Sequence, residues 1–221
     1  DVWGFGPVGP LHTLPSDSDI NRLLGAVDFR QIEVNDVSTA LRKTSIHVKT
    51  DVSAVAKGYA VDRIADLLDA RNYDSYLIEI GGEVRTRGRR EEGQSWRIGI
   101  EQPTESLGLL QRVVQLSDAA LATSGDYRNY FELDGVRYSH TIDPRTGRPV
   151  THELAAVSVI DVLCVRADAL ATALEVLGPD EAYDLAEELG LAVLLIIREE
   201  DGSYRELFTP SFLSRTVDPT G

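Results

Sequence analysis

Three stretches of this chain carry side chains whose types and spacing suit chemistry. Asp168 and Thr172 stand four residues apart in VRADALATALEVL, so on a helix both leave the same face. A carboxylate beside a hydroxyl is a pair of hard oxygen donors, suited to Mg²⁺ or Ca²⁺ and not to a thiophilic metal. Alanines at 167, 169, 171 and 173 leave room beside them for a ligand or a backbone. The same spacing also fits an exposed Asp and a Thr bonded back to its own helix. The second stretch is DVSAVAKG, Asp51 to Gly58. A helix starting there offers free N–H groups and a positive dipole end to an anion, and Lys57 adds a point charge. It lacks the glycine spacing of a Walker A loop, and a capped surface helix fits it equally well. The third is ATSGDYRNY, Ala122 to Tyr130, followed by SHTIDP, Ser139 to Pro144. His140 can exchange a proton near neutral pH, or serve as an ordinary structural hydrogen bonder. No Ser-His-Asp order, HExxH or GxSxG names a hydrolase.

The elements that must position these groups follow from pattern. Residues 1–15 hold Gly, Pro, Trp3 and Phe5 and read as loop, with the two rings as packing anchors or ligand contacts. Ser16 to Asp19 opens a short helix. Strands are expected near 30–35 and 40–48, the second half-buried. Ser53 reads as the N-cap of a long helix to Arg71, with Val55, Tyr59, Val61, Ile64, Leu67 and Leu68 as its apolar stripe. Gly58 costs that helix about 1 kcal/mol against Ala; a close approach of another backbone or a ligand would explain it, and so would plain packing. Strands follow at 75–82, 83–88, 95–102 and 109–118, with Gly81-Gly82 as a bulge or as room for a ligand. Ala122–Tyr130 reads as a polar turn, 127–142 as further β structure turning at Asp134-Gly135, and 155–162 as a buried strand. Helices at 165–177 and from Pro179 to Gly190 precede a final hairpin turning at Asp201-Gly202. Many hairpins and few regular βαβ units make the fold class α+β.

Composition sets limits. The 221 residues hold 22 Lys and Arg against 36 Asp and Glu, a net charge of −14. That excludes nucleic acid as a main partner and disfavours an anionic membrane surface. One cysteine, Cys164, leaves no internal disulfide and no thiolate zinc cluster. No apolar run approaches the roughly 18 residues of a membrane span. Methionine is absent and the chain starts at Asp1, so it reads as a processed product or a fragment.

Taken together, these stretches resemble the FAD:protein FMN transferase family, also called ApbE. The similarity rests on WGFGP at 3–7, DVSAVAKGYAVDRIADLL at 51–68, YLIEIGGEVRTRG at 76–88 and WRIGIEQP at 96–103. It continues through LATSGDYRNYFELDGVRYSHTIDPRTGRPV at 121–150 and ADALATAL at 167–174, covering nearly all of the chain in the family's order. The resemblance implies one ApbE-like domain over 1–221, incomplete at its N-terminus, with mixed, largely antiparallel sheets and packed helices (T-fold-like). It implies an Mg²⁺-dependent enzyme with FAD as substrate, which attaches FMN to a Thr or Ser of an acceptor carrying D-x-x-[S/T]-G-A-[S/T] and releases AMP. The same site would act as an FAD pyrophosphatase if water replaced the hydroxyl, and a catalytically inactive flavin binder is a third alternative. By the family pattern Asp168, Thr172 and the Ala54 carbonyl hold the metal. Trp3, Gly4, Phe5, Asp51, Lys57 and Ile142 match FAD contacts, and His140 and Asp168 the catalytic positions. Trp3, Phe5, Tyr127 and Tyr130 offer ring faces to the flavin or adenine. Glu175, where an apolar residue is more usual, is expected to approach the metal from one turn beyond Thr172. The acceptor motif is absent from this chain, so the acceptor is another protein. The family's setting implies the bacterial cell envelope, periplasmic side, with a lipid anchor on the full-length precursor.

Overall fold

The computed structural model describes residues 2–6, 9, 13–104, 108–127 and 129–215. In chain order the first elements are α1 (Asp17–Leu24), β1 (Ile32–Asn35), β2 (Ala40–Lys43), α2 (Ser53–Ala70), β3 (Tyr76–Ile80) and β4 (Glu83–Arg87). Next come β5 (Trp96–Glu101), β6 (Leu110–Leu116), β7 (Ala120–Gly125), β8 (Tyr130–Leu133), β9 (Val136–Ser139), β10 (Ile142–Asp143) and β11 (Arg148–Pro149). The last are β12 (Leu154–Asp161), α3 (Cys164–Leu177), α4 (Pro179–Glu188), β13 (Ala192–Arg198), β14 (Tyr204–Phe208) and α5 (Pro210–Leu213). They fall into two compact units: Asp1–Asp51 with Tyr130–Thr151, and Val52–Asn129 with His152–Gly221.

The larger unit is built on a six-stranded antiparallel sheet in the order β14-β13-β12-β7-β4-β3. Strand alternation sorts its side chains onto two faces. On one face Val157, Val159, Val193 and Leu195 pack against Ala167, Ala171 and Leu174 of α3 and Ala182 and Ala186 of α4. Val61 and Ala65 of α2 extend that layer over Tyr76, Ile78 and Ala120. On the other face Ala156, Ile160, Leu194 and Ile196 meet Ile98, Ile100, Val114 and Leu116 of the β5–β6 hairpin and Phe212 of α5. Being covered on both sides, β12 and β13 are buried almost throughout and mostly apolar; Ser158 interrupts β12, and its hydroxyl meets that of Thr123 at 2.7 Å. The tight turns obey their residues: Gly81 and Gly82 have φ of 60° and 100°, Asp134 and Gly135 φ of 52° and 76°, the positive pairs that two-residue hairpins demand.

The smaller unit holds α1, the β1–β2, β8–β9 and β10–β11 hairpins and the N-terminal loop. Ser16 caps α1 as its position predicts, accepting from the Asp19 N–H at 3.2 Å. α1 lies against the turn before β11, where a Cβ on Gly147 would meet Ile20 and Leu24.

The α+β class stands, and four local expectations are corrected. Strand β2 is exposed along its length and not half-buried. Helix α2 begins with Ser53 as a helical residue after Val52, with no side-chain cap. Its buried face is Gly58, Val61, Asp62 and Ala65, while Tyr59, Ile64 and Leu67 are exposed, because small residues let α3 come close on that side. The supposed polar turn at Ala122–Tyr130 begins as β7, a central strand paired with both β12 and β4. Its small residues suit burial between two layers, which local polarity does not reveal.

Candidate functional site

The larger unit brings α2 and α3 into contact at Gly58. A Cβ there would stand 2.5 Å from the Cys164 carbonyl oxygen and 2.8 Å from Asp168 Cβ, so only glycine fits. Across this contact the Gly58 N–H donates to Asp168 Oδ2 at 2.8 Å. In a regular helix that N–H belongs to the carbonyl of Ala54, four residues back. Asp168 therefore competes for the donor of the very carbonyl that the family pattern makes a ligand. Asp168 is 5% exposed, which removes the exposed-Asp alternative. Burial pushes its carboxyl above the usual range, against the opposing pull of the Gly58 N–H and the Lys57 charge.

Two residues the motif reading passed over hold this arrangement. Asp62 reaches from α2 to the start of α3, where its Oδ1 and Oδ2 accept from the Cys164 and Val165 N–H groups at 3.0 and 2.9 Å. Arg85 of β4 donates to Asp62 Oδ1 at 2.5 Å. Helix α3 has no side-chain cap of its own, so Asp62 supplies one from another helix. The second is Glu83, at the start of β4, which accepts from Lys57 Nζ at 2.6 Å and is 1% exposed. A signal existed for Asp62, a charge on the face that α2 turns inward; Glu83 beside a Gly-Gly turn had none.

Asp168, Thr172, Ala54 and Lys57 thus share the crossing helices α2 and α3. Among the described residues no three His, Cys, Asp or Glu side chains gather as a metal cluster. A cation here would be held by one carboxylate, one hydroxyl and a backbone carbonyl, all hard oxygens, which fits Mg²⁺ completed by substrate oxygens. Burial also pushes the Glu83 carboxyl up, against the pull of the Lys57 ammonium that it holds. The charged neighbour of Glu175 is Asp126, and Ser124 on β7 is the polar group beside it. A cleft of about 550 Å³ lies beside β3, β4 and the β5 strand, lined by Leu77, Val84, Ile98, Leu121 and Thr123, without Asp168 or Thr172.

The smaller unit gathers the rings. Trp3 is 4% exposed, donates its indole N–H to the Gly147 carbonyl at 2.7 Å and stacks on Tyr138 at 5.9 Å. Tyr138 stacks on Phe131 at 5.1 Å, Phe131 meets Phe5 at 5.4 Å, and Phe5 sets its edge to His140 at 6.3 Å. Gly4, with φ of 81°, allows the loop to turn between the two anchoring rings. Ile142 opens β10 and is half-buried; Asp51 is exposed. Of the two tyrosines offered as ring faces, Tyr130 lies under the Arg137 guanidinium at 3.8 Å. Tyr127 belongs to the larger unit and covers Gly125, where a Cβ would meet its ring at 2.6 Å.

The model of the ApbE family matches residues 1–195. The chain belongs to the ApbE family. Among its curated relatives, the FAD:protein FMN transferase of Vibrio cholerae serotype O1 is 41% identical over 214 residues, covering 96% of this chain and 63% of that protein. That of Escherichia coli K12 is 39% identical over 219 residues, covering 98% and 62%. The chain therefore spans less than two thirds of the length of these ApbE relatives. The apo flavinyl transferase ApbE of Pseudomonas stutzeri superposes with a TM-score of 0.85 at 42% identity, over 97% of this chain and 66% of that one. The ApbE protein of Thermotoga maritima gives 0.84 at 30% identity, over 98% and 69%.

Proposed function

We propose that this chain transfers FMN from FAD to a Thr or Ser hydroxyl of an acceptor protein in an Mg²⁺-dependent reaction that releases AMP. The observation that carries the reading is Asp168, buried and fixed to the Gly58 N–H across the α2–α3 contact, in a chain whose relatives are named for this transfer. Asp168, Thr172 and the Ala54 carbonyl are the oxygens that would hold the metal, which when bound neutralises diphosphate charge. That matters in a protein of net charge −14, which by itself repels an anionic dinucleotide. Lys57 carries a further positive charge for the diphosphate. The acceptor oxygen forms the new phosphoester bond to the FMN phosphorus as the anhydride bond to AMP breaks, and His140 is assigned the hydroxyl's proton. Phosphoryl transfer asks mainly for positioning and charge stabilisation, which this donor set supplies. Trp3 and Phe5 are assigned to flavin binding, and an acceptor with D-x-x-[S/T]-G-A-[S/T] is its partner.

The test mixes the protein with FAD, Mg²⁺ and a peptide bearing that motif. The expected outcome is flavin fluorescence that stays on the peptide after denaturation, with one AMP released per flavin attached. Free FMN with an unlabelled peptide would replace transfer by hydrolysis. Asp168→Ala is expected to abolish Mg²⁺-supported AMP release with the fold intact; unchanged turnover would remove the metal assignment.

A further inference from the structure

Lys57 and Glu83 form an unequal pair. The Lys57 side chain is 46% exposed and the Glu83 side chain 1%. Glu83 Oε1 holds the ammonium at 2.6 Å, while Oε2 is buried with no hydrogen-bond partner. Lys57 is thus the one side-chain partner of this carboxylate among the described residues. An exposed pair of this length would mean little for stability. A carboxylate buried on one side only, with an oxygen unsatisfied, is costly to keep and asks for a reason. The Gly81–Gly82 turn lies beside the same contact: a Cβ on Gly81 would stand 3.2 Å from Lys57 Cδ and 3.8 Å from Glu83 Oε2.

We propose that Glu83 is a positioning residue for Lys57, taking one of its three N–H bonds from below so that the others are presented outward to the diphosphate. This rests on the reading of Lys57 as an FAD diphosphate contact and adds the group that aims it. A lysine has three donors on a flexible four-carbon stem, so its direction is set by whatever holds it. Glu83 has opposing effects on ground-state affinity. Its negative charge repels the diphosphate, and its grip spares the ammonium the entropy of being ordered. In the reaction itself only the aim counts, because developing charge must be met by a donor already in place.

Glu83→Gln, nearly isosteric, separates these effects. We expect kcat for AMP release to fall about tenfold while the dissociation constant for FAD stays within about threefold. In a Lys57→Met background the same substitution should have no further effect on kcat. Glu83→Asp, which keeps the charge, should retain more of the rate than Glu83→Gln, with thermal melts confirming that each variant folds. Independently of turnover, acetic anhydride should acylate Lys57 several-fold faster in ligand-free Glu83→Gln than in the wild type, read by peptide mass spectrometry. Equal acylation rates, or an undiminished loss of kcat in the Lys57→Met background, would overturn the proposal while leaving the transferase reading in place. A wild-type chain that releases no AMP from FAD and Mg²⁺ would remove both.

Discussion

Glu175 shows how much it costs to bury one carboxyl with no counter-charge beside it. It is 0% exposed, with the Ser124 hydroxyl as its polar neighbour. Burial, helped by the negative Asp126 and opposed by the Ser124 hydroxyl, pushes its carboxyl up to about 8 from an ordinary 4.5. The folded protein therefore keeps a proton that the unfolded chain gives up at lower pH. Below about 4.5 both states hold it and nothing is lost. As pH rises from there to about 8, the unfolded state is favoured, and the difference grows to roughly 4–5 kcal/mol before levelling off. Glu175→Leu removes the linkage and fills the site with hydrocarbon. Urea unfolding at pH 5, 6.5 and 8 should show the variant gaining on the wild type across that window, with its largest advantage at pH 8. A constant gap between the two would mean that Glu175 is ionised in the fold. Spacing sets Glu175 one turn beyond Thr172, and packing brings it beside Ser124 of β7.

At the scale of elements, the site depends on where α3 begins. Its first turn carries no cap from its own loop, and Asp62 of α2 supplies the acceptors for the Cys164 and Val165 N–H groups. Arg85 closes the arrangement from β4, with side chains of Arg85 and Asp62 only 18% and 10% exposed. Asp168 lies one turn further along α3, so the cap fixes its height against Gly58. Asp62→Ala strips two helix donors of their acceptors and leaves a largely buried guanidinium unpaired. We expect a loss of about 3 kcal/mol in stability. Hydrogen exchange should quicken first at the amides of 164 and 165, and Asp62→Asn, which keeps one of the two acceptor oxygens, should lose less. A cost below about 1 kcal/mol would show that packing alone places the helix start. Both helices were legible in the sequence from their spacing and stop residues. Their crossing was not: Gly58 hinted at a close approach, and only the fold identified Cys164 and Asp168 as what approaches it.

For the whole molecule, the proposed use of FAD must be reconciled with the net charge of −14. Diphosphate and protein repel one another unless a cation stands between carboxylate and phosphate oxygens. FAD and Mg²⁺ are therefore expected to stabilise the protein together more than the sum of each alone. At a hundredfold excess over its dissociation constant a ligand adds about 2.7 kcal/mol of stability. Calorimetry should show the Tm rise with both present, a much smaller rise with FAD and chelator, and no Mg²⁺-dependent increment in Asp168→Ala. Equal shifts with and without Mg²⁺ would place the dinucleotide independently of the metal.

Neighbouring residues carry the part of the fold that could be read locally. The apolar stretches of β12 and β13 announce buried strands, the Asp-Gly turn at 134–135 sets its hairpin, and Asp168 and Thr172 share a helix face by spacing alone; Gly81-Gly82, read as a bulge or as room for a ligand, proved to be the β3–β4 hairpin turn. The shared stretches also carried the ApbE resemblance. The tertiary structure alone decided that Ala122 and its neighbours form a central strand, that Asp62 caps a helix 102 residues away, and that Asp168 meets a backbone N–H 110 residues distant. Local periodicity encodes which face of an element is apolar, but not which other face it will bury against. That choice belongs to packing, and it is packing that turned Glu83 and Asp168 from surface charges into buried ones.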